Sequence, residues 1–240
     1  MRYLIGVDDT DNFESRGTGN LVRQLAEWLR ADHLAEPNGI TRHQLLVDSD
    51  IPRTSHNSSA CMSIDIEDAE AVWETARDFL ALESASDSNV GLCLGQWDAI
   101  NRDVRAFGRR AKAEVLTLEE AEQIASNSRI RFAALKGNGG GIIGALAAMG
   151  LHREGNDGYF LWLAGLHELQ GRHSVAQIYD KAQIDRICSP DGTEISADAL
   201  VDLGEGTHAV LRDGLATLFV EEKKHVWYAL DRDRVKSLSK

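Results

Sequence analysis

The feature that most constrains the fold is an apolar segment near the N-terminus that ends abruptly in acidic residues. Tyr3 to Val7 predicts a buried β-strand, and Asp8, Asp9, Thr10 and Asp11 follow it directly. Clustered carboxylates repel one another, so a buried group of this kind is costly unless a cation compensates it. Mg²⁺ prefers oxygen ligands and commonly takes one or two protein carboxylates together with substrate phosphates. The motif therefore predicts a magnesium site at the end of the first strand, although a solvated acidic turn would carry the same residues.

The next segments predict a place for phosphate beside that site. A loop containing Gly17 and Gly19 leads into an amphipathic segment, Leu21 to Leu29, which predicts a helix that covers the first strand. The order strand, acidic turn, loop and helix presents backbone N–H groups and a helix N-terminus beside the metal, where phosphate groups bind.

A second segment, far along the chain, has related chemistry. Lys136 precedes a tract with four glycines in five residues, and a helix of small apolar residues follows, with Gly150 as its expected C-cap. The tract resembles a phosphate-binding loop in its physics but lacks the Gly-Lys-Ser/Thr order of the Walker pattern. Tight packing of the helix on a sheet would explain the same residues.

Composition narrows the classes of function. The 240 residues carry 26 basic and 38 acidic side chains, a formal charge of −12, which argues against broad electrostatic binding of nucleic acid. The only dense basic stretch, Arg102 to Lys112, is either a solvated helix face or a surface that faces phosphate or a polynucleotide. Without paired Cys spacing, the three cysteines predict buried thiols and no zinc site. With no signal peptide and no apolar run near 18 residues, we expect a cytoplasmic protein without a membrane partner.

The alternation of elements predicts an α+β fold, with mixed sheets and packed helices. We expect strands at 60–66 and 90–94, a helix at 68–82, and another helix capped by Thr117. A helix at 172–187 and a frayed tail at 231–240 are also expected. We place a core domain at 1–204 and a small β-meander with the tail at 205–240.

Two motifs together resemble the tRNA-Ile agmatinylcytidine synthetase family of archaea. They are Ile5-Gly6-Val7-Asp8-Asp9-Thr10-Asp11 and the segment from Gly140 to Gly150, with weaker matches at 51–54, Asn57, 88–91 and from Tyr159 onward. The resemblance implies an ATP-dependent kinase-like domain and a ferredoxin-like domain, which that family joins to RNA-binding OB and zinc-ribbon domains. The family phosphorylates the 2-carbonyl of an anticodon cytidine so that agmatine can displace it.

The resemblance also implies roles for individual residues. Asp8, Asp9 and Asp11 would hold Mg²⁺ and order the phosphates of ATP, in catalytic positions. The residues expected around the phosphates are Thr10, Lys136, Asn138, Gly139, Gly140 and Gly141. Arg53, in a polar loop, is predicted to make an additional phosphate contact. These parts suit phosphoryl transfer, which depends on positioning and on neutralising charge.

Three departures separate the chain from the family. The self-phosphorylating threonine of the family falls on Asn20, which cannot accept a phosphoryl group, and Thr18 is the candidate substitute. No Cys-x-x-Cys pair exists, and the chain ends where the RNA-binding domains are expected. We therefore do not expect agmatidine synthesis by this chain alone, and RNA is a possible but not a favoured partner.

Two hypotheses of different class follow. The leading one is a Mg²⁺-dependent ATP-binding phosphotransferase or synthetase-like enzyme with an unidentified small-molecule or nucleoside acceptor. The alternative is a catalytically degenerate nucleotide- or RNA-binding regulatory module. A haloacid-dehalogenase-type phosphatase is disfavoured, because Asn12 and Phe13 follow Asp9-Thr10-Asp11 where that chemistry needs Thr or Val. The oligomeric state stays open.

Overall fold

The computed structural model describes residues 1–51, 57–224 and 226–239. The chain forms two compact units, Met1–Glu154 and Gly155–Lys240. This division differs from the boundary after residue 204 that we expected. Its physical reason is strand pairing, because the strand at Tyr159–Leu163 pairs with Val210–Arg212 and so joins the C-terminal strands.

The Met1–Glu154 unit is an antiparallel sheet with helices packed against it. Its strands lie in the spatial order β5-β4-β1-β3-β2, and all neighbouring pairs are antiparallel. The strands are β1 (Arg2–Asp8), β2 (Ala35–Gln44), β3 (Ser58–Ile66), β4 (Gly91–Gln96) and β5 (Arg131–Ala134). The helices are α1 (Thr18–Ala31), α2 (Ala69–Glu83), α3 (Arg102–Arg110), α4 (Leu118–Asn127) and α5 (Gly141–Glu154), with one 3₁₀ turn at Trp97–Ala99.

The Gly155–Lys240 unit mixes parallel and antiparallel pairing. Its strands are β6 (Tyr159–Leu163), β7 (Arg172–Ser174), β8 (Arg186–Cys188), β9 (Leu200–Asp202), β10 (Val210–Arg212), β11 (Leu215–Lys223) and β12 (Val226–Ala229). The order is β6-β10-β11-β12-β9-β7, and β8 pairs in parallel with β11. Helices α6 (Val175–Lys181) and α7 (Arg232–Leu238) complete the unit. Together the units confirm the α+β class.

Helix α5 lies directly on the sheet because glycines remove the side chains that would separate them. A Cβ on Gly6 of β1 would lie 2.1 Å from the carbonyl oxygen of Ala145. A Cβ on Gly91 of β4 would lie 2.0 Å from the carbonyl carbon of Gly141. The first turn of α5 is therefore held against the ends of β1 and β4.

Gly150 does not cap α5, contrary to our prediction. The helix continues to Glu154, and Gly155 follows with φ +84°. Gly150 instead faces α3, where an added Cβ would lie 2.2 Å from the carbonyl oxygen of Val104. The glycine is needed for close packing of the two helices. In the sequence, a glycine with this role looks the same as a glycine that caps a helix.

Two other expectations, the helix at 172–187 and the frayed tail at 231–240, were wrong. The segment 172–187 divides into β7, α6 and β8 because its ends pair with β9 and β11, and Ser174 caps the short helix between them. The tail forms α7, whose first amides are capped by Asp231.

The helix cap at Thr117 is confirmed, since its side chain accepts from the N–H of Glu120. All three cysteines are buried and unpaired, as expected.

In the described part of the chain, no helix combines the length and the apolar character needed to cross a membrane.

Candidate functional site

A cavity of about 200 Å³ opens in the Met1–Glu154 unit where β1 ends. Both polar and apolar residues line it. Among the described residues, its carboxylates are those of Asp8, Asp9, Asp11, Asp50 and Glu114. Its amide side chains and glycines are Asn57, Asn89, Asn138, Gly140, Gly141 and Gly144. The acidic turn (residues 8–11) and the glycine loop (residues 136–141) thus contribute residues to one cavity, the arrangement that a shared site for metal and phosphate needs.

Asp8 ends β1 and turns its carboxylate toward helix α5. Its Oδ2 would lie 1.8 Å from a Cβ added to Gly144, so only glycine leaves room for this carboxylate. Burial raises the pKa of the Asp8 carboxyl well above its usual range. The N–H of Asp9 lowers it, and the charges of Asp9 and Asp11 raise it again. The site therefore contains a carboxylate whose charge a cation would stabilise.

Asp9 has a left-handed backbone, with φ 53°, a conformation that Asp tolerates better than most residues. Its Oδ2 accepts a hydrogen bond from Nδ2 of Asn89 at 3.2 Å. Burial raises the pKa of the Asp9 carboxyl, hydrogen bonds from Asn89 lower it, and the charges of Asp11 and Asp87 raise it. The turn thus directs Asp9 toward Asn89.

Asp11 is held by the first residue of α1. The Thr18 hydroxyl donates to Asp11 Oδ1 at 3.0 Å and accepts from the hydroxyl of Thr10 at 3.1 Å and from its N–H at 3.3 Å. Thr10 and Thr18 are both buried. Neither threonine is among the cavity-lining residues, so this geometry suits residues that position Asp11.

The glycine loop is closed by its own hydrogen bonds. Asn138 donates its N–H to Asn89 Oδ1 at 3.0 Å, and its own Oδ1 accepts from the N–H of Gly140 at 2.9 Å. The Gly141 N–H bonds to the carbonyl of Asn89, and those of Ile142 and Ile143 bond to Gly139 and Gly140. The loop therefore lines the cavity with Asn138, Gly140 and Gly141. The N–H groups of Gly140 and Gly141 already have acceptors within the protein.

The two predicted cationic phosphate contacts have different outcomes. Nζ of Lys136 donates to the carbonyl of Ser84, the C-cap residue of α2, at 2.5 Å. Lys136 is not among the residues that line the cavity. Arg53 lies outside the described residues, so its phosphate contact stays a prediction.

The three carboxylates have different neighbours. Asp8 faces Gly144, Asp9 faces Asn89, and Asp11 faces Thr18. Within residues 1–51, 57–224 and 226–239, no three His, Cys, Asp or Glu side chains converge closely enough to surround a metal ion. One or two of these carboxylates still match the number that Mg²⁺ usually takes from a protein.

Apolar side chains also line the cavity, and no motif in the sequence indicated them. Its described side chains are Leu45, Ile51, Ala111, Val115, Leu116 and Ile143. They come from three separate segments, so no local pattern could have grouped them. An apolar wall beside clustered polar groups is the usual composition of a small-molecule site.

The basic helix α3 is mostly neutralised within its own unit. Arg109 pairs with Glu154 at 3.0 Å, and Arg110 pairs with Glu114 at 2.8 Å and also with Glu120. These pairs favour the interpretation of a solvated helix face over that of a surface for phosphate.

Comparison with known proteins supports the resemblance. No family model matches the chain. The isoleucine-tRNA 2-agmatinylcytidine synthetase TiaS of Pyrococcus horikoshii is 28% identical over 185 residues, which are 74% of this chain and 42% of that protein. An uncharacterized protein of Methanocaldococcus jannaschii is 28% identical over 159 residues, 62% of this chain and 50% of that protein. The chain thus spans half or less of the length of these curated relatives.

Solved structures of TiaS share the fold. The complex of TiaS with an isoleucine tRNA and ATP matches with a TM-score of 0.56 and 23% identity, over 62% of this chain and 36% of that one. Apo TiaS matches with a TM-score of 0.55 and 24% identity, over 62% of this chain and 35% of that one. The similarity to TiaS that the motifs indicated is confirmed.

Proposed function

We propose that the Met1–Glu154 unit is the core of a Mg²⁺-dependent, ATP-binding enzyme of the phosphotransferase or synthetase-like ligase type. The acceptor would be a small molecule or a nucleoside. The observation that carries the proposal is that the acidic turn and the glycine loop, distant in sequence, line one cavity. The similarity to TiaS, which has been crystallised with an isoleucine tRNA and ATP, supports the choice of nucleotide.

The charge of the cavity argues for a metal. The described lining residues include five carboxylates and no Lys or Arg. A triphosphate would be repelled by such a wall, since two unit charges 4 Å apart interact by about 4 kcal/mol at an effective dielectric constant near 20. The half-buried carboxyls of Asp8 and Asp9, whose pKa values are raised by burial, fit an oxygen-loving divalent ion. One or two of the carboxylates of Asp8, Asp9 and Asp11 would hold it, and it would neutralise phosphate charge.

The remaining residues position the ligand. The apolar wall around Leu116 and Ile143 would take the planar base, and the Asn138 amide would face the phosphates. Gly140 and Gly141 would allow the phosphates to approach the backbone closely, whereas Gly139, where an added Cβ would lie 2.9 Å from the Cβ of Ala134, would only shape the loop. Thr10 and Thr18 would act by fixing Asp11, and Lys136 by fixing the end of α2 beside the loop.

The change of Asp9 to Asn tests the proposal. Asn also tolerates a left-handed backbone, and its side-chain oxygen can still accept from Asn89, so the variant removes charge and little else. We expect Asp9→Asn to abolish Mg–ATP binding in calorimetry while the far-UV spectrum and melting temperature stay close to those of the wild type.

Asp65→Asn is the matched control. The Asp65 carboxylate also accepts from an asparagine side chain, Asn38 Nδ2 at 2.9 Å, but it does not line the cavity. Its affinity for Mg–ATP should equal that of the wild type. Unchanged affinity in Asp9→Asn would count decisively against the proposal.

A second candidate, a degenerate nucleotide- or RNA-binding regulatory module, is favoured by one observation. The position that the resemblance assigns to the phosphate-accepting threonine is Asn20, and the substitute Thr18 is buried and hydrogen-bonded to Thr10 and Asp11. Assays of ATP turnover with candidate amines and nucleosides separate the two functions. An enzyme forms product, whereas a pure binding module saturates without turnover.

A further inference from the structure

We infer that Asn89 is a positioning residue that joins the acidic turn to the glycine loop and thereby couples metal binding to nucleotide binding. The coupling rests on the proposed function, whereas the joining of the two segments stands on the structure of the ligand-free protein.

Asn89 contacts both segments at once. Its Nδ2 donates to Asp9 Oδ2 at 3.2 Å, and its Oδ1 accepts from the N–H of Asn138 at 3.0 Å. Its backbone carbonyl accepts from the N–H of Gly141 at 2.9 Å, at the start of α5. One residue, just before β4, therefore connects the turn after β1 with the loop before α5.

The surroundings are shaped for this side chain. Gly137 has φ +62°, and a Cβ there would lie 2.2 Å from Asn89 Oδ1 and 2.8 Å from the carbonyl of Ser88. Glycine at 137 is thus required by both the backbone conformation and the proximity of the amide. The amide presents a donor and an acceptor on separate atoms of one short side chain, so Asp at position 89 would keep one bond and lose the other.

Coupling follows from this shared contact. A divalent ion at the acidic turn would fix Asp9, and through the Asn89 amide it would fix the loop that contains Asn138. Mg²⁺ should therefore raise nucleotide affinity by more than it would through charge neutralisation alone. Nucleotide should raise Mg²⁺ affinity by the same factor.

Two substitutions divide the role of Asn89 into its parts. Asn89→Ala removes both side-chain bonds, whereas Asn89→Asp keeps the acceptor for Asn138 and replaces the donor to Asp9 with a repelling oxygen. Asn38→Ala and Asn38→Asp are matched controls, because Asn38 donates to the Asp65 carboxylate outside the cavity-lining set. The backbone bond from Gly141 to Asn89 is kept in all four variants.

The first measurement is residue-resolved amide hydrogen exchange on the ligand-free full chain. The Asn138 N–H should exchange about five- to tenfold faster in Asn89→Ala, the change expected for loss of a bond contributing about 1 kcal/mol. It should change less than threefold in Asn89→Asp and in the controls. Unchanged exchange at Asn138 in Asn89→Ala overturns the inference, whatever the protein binds.

The second measurement is the affinity for ATP with and without Mg²⁺. The gain in affinity on adding Mg²⁺ should fall at least fivefold in both Asn89 variants and stay within twofold of the wild type in both Asn38 variants. A merely structural role would weaken binding equally in both conditions and leave this ratio unchanged, which would overturn the coupling. If the wild type binds no Mg–ATP, the proposed function and the coupling both fail, and the exchange result alone decides whether Asn89 joins the two segments.

Discussion

A single methyl group added at Gly144 should weaken ligand binding strongly while it changes the stability of the protein little. Gly144 lies in the first turn of α5 and faces the carboxylate of Asp8. An added Cβ would lie 1.8 Å from Asp8 Oδ2, 2.6 Å from its Cγ and 3.0 Å from its Cβ. The Gly144→Ala variant should therefore force the carboxylate, and not the backbone, to move.

These contacts set the size of two effects, the loss of stability and the loss of Mg–ATP affinity. The oxygen must retreat by more than 1 Å before the contact reaches a tolerable distance, and Asp8 achieves this by rotating its side chain. Overpacking typically costs about 1–3 kcal/mol, whereas replacing a helical Gly by Ala returns about 0.5–1 kcal/mol. The free energy of unfolding should therefore fall by about 0–2.5 kcal/mol. A catalytic or binding group misplaced by about 1 Å can cost as much as 100-fold, so Mg–ATP affinity should fall at least tenfold.

Gly150→Ala in the same helix is the control. Its Cβ would lie 2.2 Å from the carbonyl oxygen of Val104, a backbone atom that cannot rotate away, and Gly150 does not line the cavity. Urea unfolding should show a larger loss of stability for Gly150→Ala than for Gly144→Ala, while calorimetry at a temperature where both are folded shows the reverse order for Mg–ATP affinity. If Gly144→Ala binds Mg–ATP as tightly as the wild type, Asp8 has no part in ligand binding and the reasoning fails.

Two further predictions concern buried polar groups. Thr18→Val should lower the free energy of unfolding by about 1–3 kcal/mol, because the buried Thr10 loses its acceptor, and Thr18→Ser should restore most of it; chemical denaturation measures both. His152, which contacts the Thr41 hydroxyl at 2.8 Å, has its pKa lowered to about 3, by burial first and then by the positive charges of neighbouring groups. The unfolded chain then binds more protons, so this contribution to stability is complete above about pH 6.5 and is lost by up to about 1.4 kcal/mol per pH unit as pH falls toward 3. His152→Gln should flatten the pH dependence of urea unfolding in that window; equal slopes in the variant and the wild type would refute this.

The elements of the first unit were predictable where a local pattern has one structural solution. The apolar run before Asp8, the amphipathic spacing of α1 and the hydroxyl cap at Thr117 each appear where the sequence places them. The glycine tract and the acidic turn could also be identified, because clustered carboxylates and clustered glycines are both costly without a specific use.

The features that the sequence did not predict depend on contacts between distant segments. Gly150 carries the same signal whether it caps a helix or packs against Val104. Nothing in the local sequence around Asn89 indicates that its amide reaches both Asp9 and Asn138. The segment 172–187 has helical spacing, but pairing with β9 and β11 overrides it. In each case the information lies in the partner strand or helix.

The central claim is that the acidic turn and the glycine loop form one site for a metal–nucleotide complex. The most direct test is a crystal structure of the full chain grown with Mn²⁺ and a non-hydrolysable ATP analogue, with the metal located by its anomalous scattering. We predict a metal peak about 2.1 Å from a carboxylate oxygen of Asp8, Asp9 or Asp11, with phosphate density beside Asn138. A metal and nucleotide bound together at another place on the chain, or an analogue at this cavity with no metal between its phosphates and the aspartates, would contradict the account.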